Sequence, residues 1–333
     1  MVANFDPAVK MPPMNEKLRH MAAVSELPDE QFNKSSIDET NLTVASGLPG
    51  VDKPVALRCL AKLEKWTQLV DANTRHWMPD FKSNPAEFNH SIAQFKMLCL
   101  VTMLQKHLGV TYNLAFSQGD YDGRDPRNLF IHGLLSGFGG TCVTMPVLYI
   151  AIGRRLGYPL YLCRASEHFF VRWEGEGERF NIEATSQGFE PFDDEYMIQG
   201  PPALTEKELA SGSCMRNLTR REEAAVFLSQ RANCLMDHLH ILEAMQTLAV
   251  AELFAPRDPC ICGQWCESEI LWYSFELQNE RSKSQGRKNF MLAEVEVPSS
   301  YKFLTEKELG WARENLARMK RMRPNARIQW KND

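Results

Sequence analysis

The stretch that most restricts this chain runs from Phe138 to Thr185. It opens Gly139-Gly140-Thr141-Cys142 and continues as an apolar segment, Val143 to Leu156, with Val147, Leu148, Ala151, Ile152 and Leu156 at helical spacing. A glycine-rich turn therefore delivers a cysteine to the start of a helix. There the positive end of the helix dipole favours a thiolate, the nucleophilic form of the side chain. Pro146 has no N–H to donate, so it fits a helix that begins near Cys142 and would break one that began well before it.

Beyond Gly157-Tyr158-Pro159 two runs, His168 to Trp173 and Glu178 to Ala184, flank the turn signal Glu174-Gly175-Glu176-Gly177. A hairpin closed with Trp173 facing Glu178 sets Phe169 against Ile182 and Val171 against Phe180 on one face. On the other face it sets His168 directly opposite Glu183 and Arg172 near Arg179. Taken singly, these are a buried cysteine, a core histidine and a surface glutamate. Together they are the parts of nucleophilic catalysis: Cys142 attacks, His168 moves the proton, and Glu183 orients the imidazole.

The same residues resemble a known family. Gly140-Thr141-Cys142 leads a helix ending Arg154-Arg155-Leu156-Gly157-Tyr158-Pro159. Glu167-His168-Phe169-Phe170-Val171-Arg172-Trp173 follows, and then Phe180-Asn181-Ile182-Glu183-Ala184-Thr185. This series resembles the transglutaminase-like superfamily. Within it, the nearest likeness is to the bacterial branch whose papain-like core precedes tetratricopeptide-type helices. The resemblance covers roughly residues 125–199, with a weaker helical echo to about 259. It implies an α+β fold, a helix-rich papain-like core closed by a small antiparallel sheet. It makes Cys142 the nucleophile, His168 the base and Glu183 the third member, where the wider superfamily usually has aspartate.

Such chemistry needs donors for a developing oxyanion. The Cys142 N–H is one candidate, and Gln118 or Asn113, in the polar, turn-rich segment Tyr112 to Arg127, is another. His132, on a short helix between Pro126 and Ser136, reads as structural or as lining the cleft.

The flanking chain reads as support. Residues 1–50 carry Pro7, Pro12, Pro13, Pro28 and Pro49 and read as an extended or flexible arm. Residues 51–203 form the expected core, with helices over Val55 to Val70 and Glu87 to Leu108. His76, His90 and His107 lie among them without metal-ligand spacing. Thr185 to Pro202 reads as loop, with Phe189, Phe192 and Tyr196 near a cleft. Residues 204–259 read as degenerate tetratricopeptide-like helices, begun by capping boxes at Thr205/Glu208 and Thr219/Glu222. Residues 260–333 form a C-terminal extension. In it Cys260, Cys262 and Cys266 read as reduced thiols, Ile270 to Leu277 and Asn289 to Val297 as strands, and Thr305 to Met322 as a last helix.

Composition narrows the function classes. With 24% charged residues, a formal net charge of −4 and the basic tail residues Lys320, Arg321, Arg323 and Arg327 read as a solvated face, neither nucleic acid nor an acidic membrane surface is the expected partner. Nine cysteines at irregular spacing, with neither a signal peptide nor a long apolar run, suggest a reducing cytoplasm. No cofactor and no metal are expected. The expected activity is acyl transfer on an amide of a protein or peptide through a Cys142 thioester. Hydrolysis (protease or amidase) is favoured over transglutaminase-type transfer to an amine, since water is always at hand. The alternative is an inactive scaffold that holds a protein partner through its helical region.

Overall fold

The computed structural model describes residues 13–117, 122–200, 202–256, 258–265, 267–268, 271–272, 295–296 and 328–329. These fall into two compact units, one spanning Val24–Phe227 and the other combining the described parts of Met1–Ala23 and Leu228–Asp333.

Where the sequence suggests an extended arm, the described residues are helical: α1 (Glu16–Ser25), α2 (Asp29–Phe32) and α3 (Ile37–Ala45). A capping box between Ser36 and Glu39 starts α3. Its buried face hides it from a periodicity search, because Asp38 and Asn41 sit there beside Leu42 and Ala45. Asp38 accepts two hydrogen bonds from Arg155, at 2.7 and 2.6 Å. Asn41 Oδ1 accepts the backbone N–H of Ile131 at 3.1 Å.

The expected core helices are present with different limits. Asp52 caps α4 (Lys53–Ser83), with Pro54 in its first turn, and its buried face runs through Cys59, Leu63, Trp66, Val70 and Thr74. Ser91 caps α5 (Ile92–Thr102), which passes into a wider π-helical turn, Met103–His107. Then come the short α6 (Leu114–Ser117) and α7 (Ile131–Leu135).

The central element is α8 (Thr144–Arg155), buried along most of its length and packed against α3, α4, α5 and α7. Pro146 lies in its first turn, where no intrahelical donor is required. At its other end Arg155 meets Asp38, and Arg154 meets the buried Glu223 at 2.6 Å.

A four-stranded antiparallel sheet covers α8. Its strands are β1 (Leu160–Ala165), β2 (His168–Gly175), β3 (Glu178–Ile182) and β4 (Pro191–Phe192), in that order across the sheet. The α+β class holds, and the sheet corrects the expected hairpin register. Val171 pairs with Ile182, Trp173 with Phe180 and Gly175 with Glu178, a slip of two residues from the expected pairing. The turn decides this. Glu176 (φ 56°) and Gly177 (φ 80°) are both left-handed, so a two-residue turn closes where four residues were expected. That turn matches the right-handed twist of the strands. A slip of two keeps every side chain on its expected face. Arg172 now lies level with Asn181 and Arg179 with Glu174, and both arginines reach Asp194, at 2.8 and 2.7 Å.

After β4 the segment expected as loop contains α9 (Asp194–Gln199), and Phe192 stacks on Tyr196 with centroids 3.8 Å apart. Capping boxes at Thr205 and Thr219 precede α10 (Glu206–Ser211) and α11 (Arg220–Asp237), and α12 (Ile241–Phe254) follows. In the unit containing α12, Gln264 joins Ser229 and Asn233, each at 2.8 Å. Residues 271–272 are helical, against the expected strand; Val295–Glu296 pairs in parallel with Ile328–Gln329. The remainder of both expected strands, Cys266 and the expected helix Thr305 to Met322 lie outside the described residues. Among the described residues no helix is long and apolar enough to cross a membrane.

Candidate active site

Cys142 sits two residues before the first helical residue of α8, and a knot of threonine hydroxyls fixes it there. Thr141 Oγ1 donates to Asn128 O at 2.9 Å and accepts the N–H groups of Val143 (3.2 Å) and Thr144 (3.3 Å). Thr144 Oγ1 accepts the Thr141 N–H at 2.8 Å, and Met145 N–H reaches Thr141 O at 3.0 Å. These bonds occupy the amides on both sides of Cys142 and leave its own N–H unused among the described residues. An amide left over beside a thiol at a helix start is an anion-binding donor.

The approach to Cys142 depends on two glycines. Gly139 has φ +95°, and a Cβ there would come within 3.1 Å of Asn113 Cβ. A Cβ on Gly140 would lie 2.3 Å from Met145 Cγ and 2.8 Å from Leu134 Cδ1. The chain can thus pass tightly between α7, α8 and the segment before α6.

His168 is the first residue of β2, directly after the two-residue turn Ser166-Glu167, where Glu167 takes φ 54°. Its Nε2 lies 2.6 Å from Glu183 Oε2, and its ring also hydrogen-bonds with Cys142. Burial disfavours the imidazolium, but the hydrogen bonds to Cys142 and Glu183 and their negative charge outweigh it, and the pKa is pushed up to about 10. Burial opposes the Glu183 carboxylate too, yet His168 and Thr185 hold its pKa below the ordinary range.

The observed register changes how Glu183 reaches His168. Continued along the hairpin, it sets Thr185, not Glu183, level with His168. Glu183 is the diagonal neighbour, at about 7–8 Å between such positions, which a long side chain spans. Thr185 anchors the other oxygen, donating to Oε1 from its N–H (2.9 Å) and its hydroxyl (2.6 Å). The His168 side chain is 24% exposed and that of Glu183 12%, so the pair is sheltered without being sealed.

The structure thus brings Cys142, His168 and Glu183 together. Asn113 lies beside Gly139, with its Oδ1 accepting the Ala115 N–H at 3.2 Å, and Gln118 lies outside the described residues. His132 is buried in α7, and neither ring nitrogen has a hydrogen-bond partner among the described residues. Burial lowers its pKa to about 4, with Asp125 opposing and Arg127 adding to the shift. Among the described residues no cluster of His, Cys, Asp or Glu could hold a metal ion.

Residues 59–198 match the family model of the transglutaminase-like superfamily. This segment is a transglutaminase-like domain. It contains Cys142, His168 and Glu183 and ends before α10, α11 and α12. No curated protein and no solved structure matches the chain.

Sequence reasoning missed two parts of the transglutaminase-like domain. Thr185 carried a signal, since a threonine two residues after an acid can bond it locally. Tyr112 carried none. It enters through a pairing of Thr111–Asn113 with Gly140, and the charges of Cys142 and Glu183 both bear on its phenol.

Proposed function

We propose that the transglutaminase-like domain is a cysteine-dependent acyl-transfer enzyme that cleaves an amide bond of a protein or peptide, with water as the final acceptor. One observation carries this reading: His168, whose Nε2 lies 2.6 Å from Glu183 Oε2, also interacts with the side chain of Cys142. In the proposed reaction Sγ of Cys142 attacks the carbonyl carbon, and an S–C bond forms as the carbonyl electron pair moves to oxygen. The C–N bond then breaks, and the imidazolium of His168 protonates the leaving amine. Water adds to the thioester, giving its proton to the now neutral His168, and the carboxylic acid leaves as Cys142 is restored. Glu183 holds the imidazole orientation and stabilises its cation through the cycle.

The test is the rate of Cys142 alkylation by iodoacetamide, followed by peptide mass spectrometry from about pH 5 to 9, in wild type and His168→Ala. A thiol without a paired imidazolium is almost wholly protonated at about pH 6 and reacts slowly. Fast reaction at pH 6 that collapses in the variant supports the reading. A rate indifferent to His168 removes it.

A further inference from the structure

Glu183 stands directly after β3, beyond the last pair of its ladder with β2, Val171 and Ile182. The chain turns there. Ser186 N–H donates to Glu183 O at 3.3 Å, and Gly188 takes a left-handed φ of 79°. One side chain from a distant element fastens this turn. Gln105 lies in the π-helical turn after α5, where Leu108 N–H reaches back to Met103 O at 2.9 Å. Such wide turns are rare and are frequent at functional sites. Gln105 Nε2 donates to Ser186 O and to the Tyr149 hydroxyl, both at 2.9 Å, and its Oε1 accepts the Gly188 N–H at 2.8 Å. A primary amide has N–H donors and an acceptor oxygen, and both kinds are used here. A carboxylate would lack the donors, and an ammonium the acceptor. Ser186 and Gly188 belong to the turn after Glu183. Tyr149 is fully buried in α8, the helix that Cys142 precedes. Gln105 therefore ties the turn that bears Glu183 to the helix of the nucleophile.

We propose that Gln105 is a positioning residue for the candidate site: its amide holds the 183–188 turn against α8 and so keeps Glu183 Oε2 on His168 Nε2. The proposal rests on the acyl-transfer reading above. Glu183 spans a diagonal of the hairpin to reach the imidazole at 2.6 Å, and its other oxygen is held by Thr185. Thr185 is part of the same turn, so it orients the carboxylate within the turn and cannot place the turn itself. Gln105 does that from outside. A displacement of the turn by about 1 Å would pass straight to the carboxylate, enough to cost a catalytic contact.

The test is the rate of Cys142 alkylation by iodoacetamide at about pH 6, read on the Cys142 peptide by mass spectrometry in the full chain. Gln105→Met removes the amide and keeps the length of the side chain. It is made in the wild-type chain and in Glu183→Ala, beside His168→Ala, and thermal unfolding is followed in each. Expected is a slowing of about tenfold in the wild-type background, the scale of one or two lost hydrogen bonds. No slowing is expected in Glu183→Ala, because an effect passed through Glu183 disappears with it. A general loss of stability would persist, so equal slowing in both backgrounds overturns the proposal. So does a wild-type rate in Gln105→Met while His168→Ala is slow; either result leaves the acyl-transfer reading standing. Should Gln105→Met not fold, Tyr149→Phe carries the same comparison, since it removes one partner of the amide. A slowing of about threefold that vanishes in Glu183→Ala then supports the proposal, and no slowing, or equal slowing in both backgrounds, overturns it. Wild-type alkylation indifferent to His168→Ala removes the acyl-transfer reading and this proposal with it.

Discussion

Glu183 meets His168 across a diagonal of the hairpin, with Oε2 2.6 Å from Nε2, while Thr185 occupies the level position and holds the other carboxylate oxygen. The glutamate side chain is therefore matched to this register. Glu183→Asp, one methylene shorter, should fall short of the imidazole. Expected is a drop in Cys142 alkylation at pH 6 of about tenfold to a hundredfold, equivalent to the roughly 1.5–3 kcal/mol of a hydrogen bond to a charged group. An aspartate variant as fast as wild type would show that the diagonal reach is unnecessary.

The raised pKa of His168 fixes a pH profile. Its ordinary value is 6.5 and its folded value about 10, so the imidazolium persists until the pH approaches the folded value. Alkylation of Cys142 should then run faster in wild type than in His168→Ala at every pH from about 5 to 9. A difference that vanishes near neutrality would contradict a persistent imidazolium.

His132 acts on stability in the opposite direction. Its folded pKa is about 4 against an ordinary 6.5, so the unfolded chain binds the proton more readily. Stability should therefore fall as pH drops from 6.5 towards 4, by about 2–3 kcal/mol from this group. His132→Leu should remove that part of the loss. Urea midpoints at pH 7 and pH 4.5 give the answer, and an equal loss in both proteins would rule the histidine out.

Two glycines near the site should respond unequally to alanine. At Gly133 the new Cβ would lie 2.2 Å from the backbone oxygen of Arg127, which cannot move aside without shifting the turn before α7. At Gly140 the closest atom belongs to a flexible methionine. Gly140→Ala should cost about 1–3 kcal/mol and Gly133→Ala more than that, read as loss of thermal stability. The reverse ranking would mean that the Arg127 backbone yields.

The pair Asp38–Arg155 ties α3 to the end of α8, with the Asp38 side chain wholly buried. Asp38→Ala strands the guanidinium and should cost about 3–5 kcal/mol in urea unfolding at pH 7. A double variant with Arg155→Met should recover part of it. No recovery would mean that the cost comes from packing.

Local signals in the sequence determined the start of α8, the faces of the hairpin and the order of cysteine, histidine and glutamate. A helix start, a proline in a first turn and a period of two are written within a few residues of where they act. The register was not legible in the same way. Glu176-Gly177 closes a tighter turn than its composition suggested, and only side-chain length lets Glu183 tolerate the slip. The helical character of residues 16–45 escaped because the buried face of α3 carries Asp38 and Asn41, whose partners Arg155 and Ile131 lie far along the chain. The pairing of residues 111–113 with Gly140 is the clearest case. Nothing near it in sequence marks it, and it forms where Gly139 has no side chain to meet Asn113. Contacts closed between distant segments are set by which backbones can approach, and tertiary packing alone decided that.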